Sequence, residues 1–427
     1  MADTTTDAPG DRTPLNLSPQ RRFLFRLILA GFALLIIAVP AELVLRVWEH
    51  ALSGPRLRIM EENPHGTGSI RLKPDFHWTA HVGYQKIRIR TNHQGMHWYP
   101  VDPHPSPERR RIAFLGDSFT FGLWAPRFEE SFVGLENALL VPRGWEALNF
   151  GVPGYGFDDM ELILKEEVAA FEPKIVILMY YTGNDFRDTY LGLRKSVVVD
   201  GTAHWNREVL QAKLPPEMIP PERTAQGDSS KAAAGGGLKG FLRSHFALIR
   251  SGALLKSALQ ERWKRPPDQG PGSTGASGPR ATAADSLAWR TDIFTSSIYW
   301  SQTHYPPLAA AARDTSLATL VRINRYCRER GMRLCIAAIP YREQVCGQVP
   351  VSADFDDGLP QRCVEEFARS RGIPYLDLLP GLREQARPKP AEIYVRGDTH
   401  FNGRGHALVA RILDQWIENE VLGSARP

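Results

Sequence analysis

The chain has 427 residues, 43% of them hydrophobic, which is enough apolar material for one large folded domain with appended segments. Lysine and arginine number 52 against 47 aspartates and glutamates, so the formal net charge is +5 and the pI is about 9.0. The excess is scattered, without the basic stripes that nucleic-acid binding requires. The sequence therefore excludes a nucleic-acid partner. The mildly basic surface either binds an anionic polymer or lipid headgroups, or is simply solvated.

The N-terminal segment predicts a tail followed by a membrane span. Residues 1–22 are polar and rich in proline, aspartate and threonine, which predicts a disordered cytoplasmic tail. Residues 27–41 carry no charge, and with the apolar residues 43–45 they reach the ~20 residues that cross a ~30 Å hydrocarbon core. We therefore expect one transmembrane helix over residues 23–48, with the rest of the chain outside the cytoplasm. A signal peptide cleaved near residues 39–41 and a buried core helix are the alternatives.

Residues 55–107 predict a β-rich N-terminal extension. Apolar and polar residues alternate over 77–82 and again over 87–92, which is typical of short half-buried strands. We expect this extension to pack beside the sheet that follows it.

Strand and helix patterns then alternate along the chain. Apolar runs predict strands over 111–116, 146–150, 174–181, 333–339 and 374–378, and amphipathic patterns predict helices over 129–141, 158–170, 315–330, 359–371 and 403–420. Alternation of this kind predicts an α/β fold in three α/β/α layers around a parallel sheet.

The strand over 111–116 ends in Gly116-Asp117-Ser118, a turn that places one serine directly after an apolar run. In open α/β sheets ligands bind in the crevice outside the carboxyl ends of the strands, so Ser118 is the candidate nucleophile. A serine hydroxyl needs a base to take its proton and a third group to hold that base in one tautomer. Residues 396–402 supply both, with His400 as candidate base and Asp398 as its orienting acid.

Acyl transfer also needs donors aimed at the oxyanion of the tetrahedral intermediate. The loop over 151–156 follows a strand and contains Gly154, whose backbone N–H is one candidate. The loop over 182–185 follows the next strand and contains Asn184, whose side-chain NH₂ is another. Each motif alone is an ordinary turn, but their joint occurrence after successive strands favours catalysis.

Residues 196–309 interrupt the alternation and form a predicted insertion. Two stretches within it, 232–237 and 266–279, consist largely of Ala, Gly, Pro and Ser, compositions that cannot bury a core and predict disorder. Residues 241–263 between them predict an amphipathic helix, which is a lid, a membrane-facing flap or a surface helix covering the domain.

Four cysteines are present, and none belongs to a CxxC or His/Cys cluster, so we expect neither a metal nor a cofactor. Cys346 and Cys363 bracket a loop-like segment and form a candidate disulfide in an oxidising compartment. Cys327 and Cys335 are either a second pair or buried free thiols.

These four blocks, in this order, resemble the SGNH hydrolases of the GDSL esterase and lipase superfamily. The resemblance implies a flavodoxin-like sheet, with Ser118 as nucleophile and first oxyanion donor. It implies that Gly154 and Asn184 are the second and third donors, and that Asp398 and His400 complete the triad.

The resemblance spans residues 108–195 and 310–420. The commonest family pattern separates Asp and His by two residues, whereas here only Thr399 lies between them. This shorter spacing is similar to that of membrane-associated bacterial members linked to acylation of cell-surface polysaccharides.

The sequence as a whole therefore predicts a serine esterase or O-acyltransferase, anchored in the inner membrane with a periplasmic catalytic domain. The expected substrate is an acylated, in particular acetylated, carbohydrate of the cell envelope, with an envelope polysaccharide machinery as the expected partner. A lipase or lysophospholipase acting on a lipid ester is the enzymatic alternative, and a non-catalytic scaffold is the alternative of a different class.

Overall fold

The structure is a computed structural model that describes residues 57–82, 85–220, 294 and 296–423, together with residues 18–21, 23–29, 32, 36, 39 and 40. The chain divides into two compact units, Met1–Gly54 with Glu222–Thr274 and Pro55–Pro221 with Gly275–Pro427. The predicted helix over 241–263 and both low-complexity stretches lie outside the described residues. The sheet and the candidate site belong to the second unit.

The first unit is described only near the N-terminus. Residues 19–21 and 23–29 are helical, and apolar side chains such as Phe23 and Ile28 are exposed. Much of the span predicted over 23–48 lies outside the described residues. In the part that is described, no helix is both long and apolar enough to cross a membrane.

Eleven strands are described in the second unit. They are β1 Met60–Glu62, β2 Ile70–Leu72, β3 His77–Val82, β4 Gln85–Arg90, β5 Arg110–Gly116, β6 Trp145–Gly151, β7 Ile175–Tyr181, β8 Ser196–Val199, β9 Thr202–Trp205, β10 Arg333–Ile339 and β11 Tyr375–Asp377.

Ten α-helices are described in the same unit. They are α1 Ser118–Phe121, α2 Phe132–Leu140, α3 Phe157–Glu166, α4 Asp185–Leu191, α5 Arg207–Lys213, α6 Pro307–Glu329, α7 Arg342–Val345, α8 Leu359–Arg369, α9 Leu378–Gln385 and α10 Gly403–Trp416. Short 3₁₀ turns occupy Phe128–Glu130, Val141–Arg143, Val168–Phe171, Pro216–Met218, Ser297–Ser301 and Pro390–Ile393, and a π-helical turn, Ile417–Leu422, extends α10.

Five parallel strands form the central sheet in the order β11-β10-β7-β5-β6. Counted along the chain this is the flavodoxin-like order 2-1-3-4-5, in which the connection reverses direction between β5 and β7. The crevice at the carboxyl ends of these two strands is where such sheets bind ligands. The predicted parallel-sheet α/β fold is confirmed, and its switch point lies beside Ser118.

Continuous apolar runs explain why these strands are central. All of β7 is buried, as are Ile112 to Leu115 of β5, because helices cover both faces of a parallel sheet. Helices α2, α9 and α10 pack together in one group, while α3, α4, α6 and α8 pack together in another. The helices thus form the outer two of three layers.

The N-terminal extension consists of two antiparallel strand pairs, β1-β2 and β3-β4. In β4 the side chains of Ile87 and Ile89 point into the core that the central sheet shares, while Lys86, Arg88 and Arg90 are exposed. The extension therefore packs on the domain through one face of each pair.

Two predicted boundaries are corrected by local chemistry. Helix α6 begins at Pro307 rather than residue 315, because proline suits the first helical position and the alanines that follow favour helix. Helix α2 begins at Phe132 rather than residue 129, because the Ser131 side chain accepts a hydrogen bond from the Gly134 N–H (3.2 Å) and caps the helix there.

The candidate disulfide between Cys346 and Cys363 is wrong, because all four cysteines are free thiols. Cys363 lies on α8 and contacts Tyr305, whereas Cys346 follows α7 and contacts Arg342. Cys327 and Cys335 are buried, and burial raises the pKa of each thiol to about 12. Of the two alternatives for that pair, buried free thiols are the one observed.

A buried carboxyl on α2 makes the stability of the fold depend on pH. Glu136 is fully buried and neither carboxyl oxygen has a hydrogen-bond partner among the described residues. Burial, reinforced by the charge of Asp414, raises the pKa of Glu136 from 4.5 to about 9. Between these values the unfolded chain releases a proton that the folded chain keeps, so the free energy of unfolding falls as pH rises.

We expect Glu136→Gln, which cannot ionise, to melt at nearly the same temperature as the parent at pH 4 and at a clearly higher temperature at pH 8. Thermal unfolding followed by circular dichroism across this range measures the difference. Glu108→Gln, at an exposed position, is the matched control and should follow the parent at every pH. A gap between Glu136→Gln and the parent that does not widen with pH would show that Glu136 is ionised in the fold.

Candidate active site

Ser118 is the first residue of α1 and stands directly after the central strand β5. The Asp117 carboxylate caps this helix, accepting a hydrogen bond from the Phe119 N–H at 2.9 Å. Ser118 is half-buried while both neighbours in sequence are buried, so its side chain lies at the surface of the crevice. The strand-to-helix turn therefore presents one hydroxyl at the carboxyl edge of the sheet.

Ser118, His400 and Asp398 form one chain of hydrogen bonds. The Ser118 Oγ lies 2.8 Å from His400 Nε2, and His400 Nδ1 lies 2.6 Å from Asp398 Oδ1. With Nδ1–H donating to the carboxylate, Nε2 is left as the acceptor for the serine proton. The arrangement can therefore take a proton from the serine and stabilise the resulting imidazolium.

Backbone contacts hold the loop that carries His400. The His400 carbonyl accepts from the Val395 N–H (3.0 Å), and the His400 N–H donates to Asp398 Oδ1 (2.9 Å). Asn402 caps α10, its side-chain oxygen accepting from two N–H groups of the first turn. The His400 ring also lies against Phe119, with centroids 4.8 Å apart. The imidazole is thus held in place by the backbone hydrogen bonds of its loop and by the Phe119 ring that packs against it.

Trp124 is a site residue whose role the sequence did not indicate. Its indole N–H donates to Asp398 Oδ2 at 2.9 Å, so both carboxylate oxygens accept a hydrogen bond. Burial by itself would raise the pKa of Asp398, but the hydrogen bonds from His400 and Trp124 outweigh it and hold that pKa well below its ordinary value. Trp124 has a φ of +69°, which is rare for a bulky residue and costs of order 1 kcal/mol or more.

We expect Trp124→Phe to lower kcat/KM by about tenfold, the effect of losing one hydrogen bond to a charged group. Steady-state hydrolysis of p-nitrophenyl acetate measures the change. Trp145→Phe, a buried tryptophan that stacks on Arg110 instead, is the control. An unchanged kcat/KM in Trp124→Phe would leave Trp124 with a packing role only.

The two candidate oxyanion donors lie on loops after the strands that flank β5. Gly116 is in register with Gly151, and its carbonyl accepts from the Val152 N–H (3.0 Å), so the loop with Gly154 starts beside the serine turn. A Cβ at Gly151 would lie 2.1 Å from the Phe121 nitrogen, so only glycine lets β6 and α1 approach this closely. Gly154 has a φ of +85°, and a Cβ at this position would have no atom within 4 Å. The backbone conformation, rather than crowding, therefore favours glycine here.

Asn184 occupies the N-cap position of α4 but does not cap it. Its side chain makes no capping hydrogen bond, and its Oδ1 is buried without a hydrogen-bond partner among the described residues. A cap residue that leaves the helix uncapped is consistent with an amide kept for another partner. No hydrogen bond links Gly154 or Asn184 to Ser118 within the described structure, so their roles as donors stay predictions.

Two buried carboxyls underlie the crevice. Asp185 Oδ2 accepts from the Tyr181 N–H (2.8 Å) at the end of β7, and Asp117 caps α1 as described. Burial raises the pKa of Asp117 to about 6, and burial with the charge of Asp117 raises the pKa of Asp185 well above its ordinary value. Proton retention by Asp185 limits the negative charge beneath Ser118, where an oxyanion must form.

Among the residues that the structure describes, no group of histidine, cysteine and acidic side chains could hold a metal ion. The reactive groups of the site are therefore the hydrogen-bonded Ser118, His400 and Asp398.

Residues 298–427 match a family described as an SGNH hydrolase-like domain, acetyltransferase AlgX. The matched stretch contains Asp398 and His400, while Ser118, Gly154 and Asn184 precede it. The resemblance to SGNH hydrolases is confirmed, and residues 298–427 are similar to an SGNH hydrolase-like domain.

A search of curated proteins found no match. Similar solved structures include a GDSL-like lipase from Bacteroides thetaiotaomicron, 10% identical with a TM-score of 0.33, over 74% of this chain and 91% of the lipase. An acetylxylan esterase from Geobacillus stearothermophilus is 13% identical with a TM-score of 0.36, over 72% of this chain and 94% of the esterase.

Proposed function

Residues 298–427 are similar to an SGNH hydrolase-like domain, and on this basis we propose that the chain is a serine esterase or O-acyltransferase. It acts on acyl esters of carbohydrate through an acyl-enzyme. The observation that supports the proposal is the unbroken relay of two short contacts, Ser118 to His400 and His400 to Asp398. Asp398 and His400 stand 280 and 282 positions beyond Ser118 in the sequence, and a chance meeting of three such groups in this order would be an unusual coincidence.

In the proposed mechanism Ser118 Oγ attacks the ester carbonyl while His400 Nε2 takes the hydroxyl proton. The oxyanion receives hydrogen bonds from the N–H groups of Ser118 and Gly154 and from the Asn184 amide. The C–O bond to the alcohol then breaks, and His400 returns the proton to that alcohol. Water or a sugar hydroxyl next attacks the acyl-enzyme with His400 as base, which gives hydrolysis or transfer.

We expect Asn184→Ala to lower kcat by about 10²–10³, the usual cost of losing one oxyanion donor. The unbonded side chain at this position is the reason to expect a catalytic rather than a folding effect. Steady-state kinetics on p-nitrophenyl acetate separate kcat from KM. Asn206→Ala removes a true N-cap, at α5, and is the control for loss of a capping-site asparagine. A change confined to KM would assign Asn184 to substrate binding.

An acetyl ester of cell-envelope carbohydrate is the proposed substrate. Its support is the family description, which names an acetyltransferase, together with the short Asp398-Thr399-His400 spacing noted in the sequence. The uncharged stretch over 27–41 supports the further proposal of an inner-membrane anchor with the catalytic domain in the periplasm. Resistance to carbonate extraction and cleavage by external protease in spheroplasts are the expected results for that topology.

The experiment that tests the activity uses the full-length chain in detergent. A serine-reactive fluorophosphonate should label it, and Ser118→Ala should remove the label. Mass analysis of acetylated oligosaccharides, incubated with and without an acetyl donor, then separates deacetylation from transfer. Absence of labelling in a folded sample would favour the non-catalytic scaffold instead.

A further inference from the structure

A buried carboxylate holds the loop that carries Gly154. Asp159 lies in the first turn of α3, and its Oδ2 accepts a hydrogen bond from the Gly156 N–H at 3.0 Å. Its Oδ1 accepts from the Ser69 hydroxyl at 2.7 Å, and the Lys195 ammonium donates to Oδ2. One carboxylate therefore receives three donors, and one of them is the backbone of the loop itself.

Lys195 and Asp159 form a buried ion pair. Only 3% of the Lys195 side chain and 2% of the Asp159 side chain are exposed, and Asp158 Oδ1 lies 4.0 Å from the same ammonium. Burial alone would lower the pKa of this lysine, but the charges of Asp159, Asp158 and Asp188 outweigh it and hold that pKa above its ordinary value. Lys195 is therefore a cation in the fold and compensates the buried carboxylate that holds the loop.

Two further hydrogen bonds fasten the same loop to its surroundings. The Tyr155 hydroxyl donates to the Ile70 carbonyl at 2.7 Å, and the Phe157 N–H donates to Thr189 Oγ1 at 2.9 Å. The Thr189 hydroxyl in turn donates to the carbonyl of Asp185, the first residue of α4, at 2.6 Å. These contacts join the loop to the N-terminal extension and to the helix that follows the other candidate oxyanion donor.

We propose that Asp159 is a positioning residue for catalysis, held by Ser69 and Lys195 so that the Gly154 N–H points at the oxyanion. The inference rests on the proposed function and names the groups that preorganise its site. Gly154 is exposed, and a Cβ there would meet no atom within 4 Å, so the hydrogen bonds on its C-terminal side must hold it. A displacement of about 1 Å at the reacting atoms can cost about 10²-fold in rate.

The test changes the ion pair as a unit in the full-length chain, because Lys195→Met alone leaves a buried carboxylate unpaired and is expected to unfold the domain. Asp159→Ala with Lys195→Met, the alanine variant, removes the acceptor of the Gly156 N–H. Asp159→Asn with Lys195→Met, the asparagine variant, is equally uncharged but keeps an amide oxygen as acceptor. We expect the alanine variant to lower kcat on p-nitrophenyl acetate by about tenfold to a hundredfold with KM unchanged. The asparagine variant should recover most of that loss.

The matched control removes another ion pair of the same helix. Glu161 Oε2 lies 2.8 Å from the Arg322 guanidinium on α6, and Glu161→Ala with Arg322→Met should keep the parental kcat. The pH profile should keep its shape in every variant, because the triad is untouched. An asparagine variant as slow as the alanine variant, or a control that loses as much kcat, would overturn the proposal.

Hydrogen exchange followed by mass spectrometry measures the loop without any turnover. The amides of residues 152–157 should exchange faster in the alanine variant than in the parent, while the asparagine variant stays close to the parent. Equal exchange in all three proteins would overturn the proposal whatever the rates of hydrolysis. If the parent turns over no ester while the loop loosens in the alanine variant alone, the proposed function fails and the hold of Asp159 on the loop stands.

Discussion

Replacing Ser118 with alanine is expected to reduce turnover of p-nitrophenyl acetate to background while changing the melting temperature by no more than a few degrees. The side chain is half-buried, and its close contact is the 2.8 Å hydrogen bond with His400. Removing the nucleophile eliminates the acyl-enzyme route altogether. The His400 ring keeps its contacts with Asp398 and Phe119, so the loop has no reason to rearrange.

The control is Ser106→Ala, an exposed serine in the turn before β5. Fluorophosphonate labelling and ester turnover should both be lost in Ser118→Ala and both kept in Ser106→Ala. Comparable turnover by the two variants would refute the proposed role of Ser118 as nucleophile.

Asp398→Asn is expected to be the next most damaging change, by up to about 10⁴ in kcat as in a well-studied triad. Both carboxylate oxygens accept in the structure, one from His400 and the other from Trp124. An asparagine keeps only one acceptor, so its NH₂ must face either the imidazole Nδ1–H or the indole N–H. The wrong histidine tautomer, or an unpaired donor, follows in either case.

A double variant makes this argument testable. When Trp124→Phe is combined with Asp398→Asn, the NH₂ of the introduced asparagine can turn to the side without a donor and leave its oxygen to His400. We therefore expect Asp398→Asn to cost less in the Trp124→Phe background than in the parent, a non-additivity typical of residues that share one network. Covalent labelling by fluorophosphonate should remain detectable in both, because the serine and the base are present.

Strict additivity would contradict the shared network, and a nearly silent Asp398→Asn would contradict the triad itself. Asp398 would then be a turn residue, since its Oδ1 also accepts from the backbone N–H of His400 at 2.9 Å. The orienting group for His400 would have to lie elsewhere, and Ser118 and His400 would act as a dyad.

Local sequence patterns were enough to locate the main elements and the chemistry placed at their ends. Five apolar runs predicted the five strands of the parallel sheet within a residue or two, because strands covered on both faces are mostly apolar. The same runs located the loops with Ser118, Gly154 and Asn184, since each loop follows a strand directly. Helix ends were less accurate, as at α6, because capping depends on single side chains.

Which of those groups meet depends on the tertiary structure. The strand order puts the switch point between β5 and β7, and the Ser118 to His400 bond joins residues 282 positions apart. The Trp124 bond to Asp398 spans 274 positions, and nothing in the spacing of the sequence signals it. The four cysteines are free thiols, because packing rather than spacing sets which side chains face one another. A local sequence pattern indicates which side chains of one segment are buried. Contacts between distant segments depend instead on the order in which the chain lays its strands in the sheet.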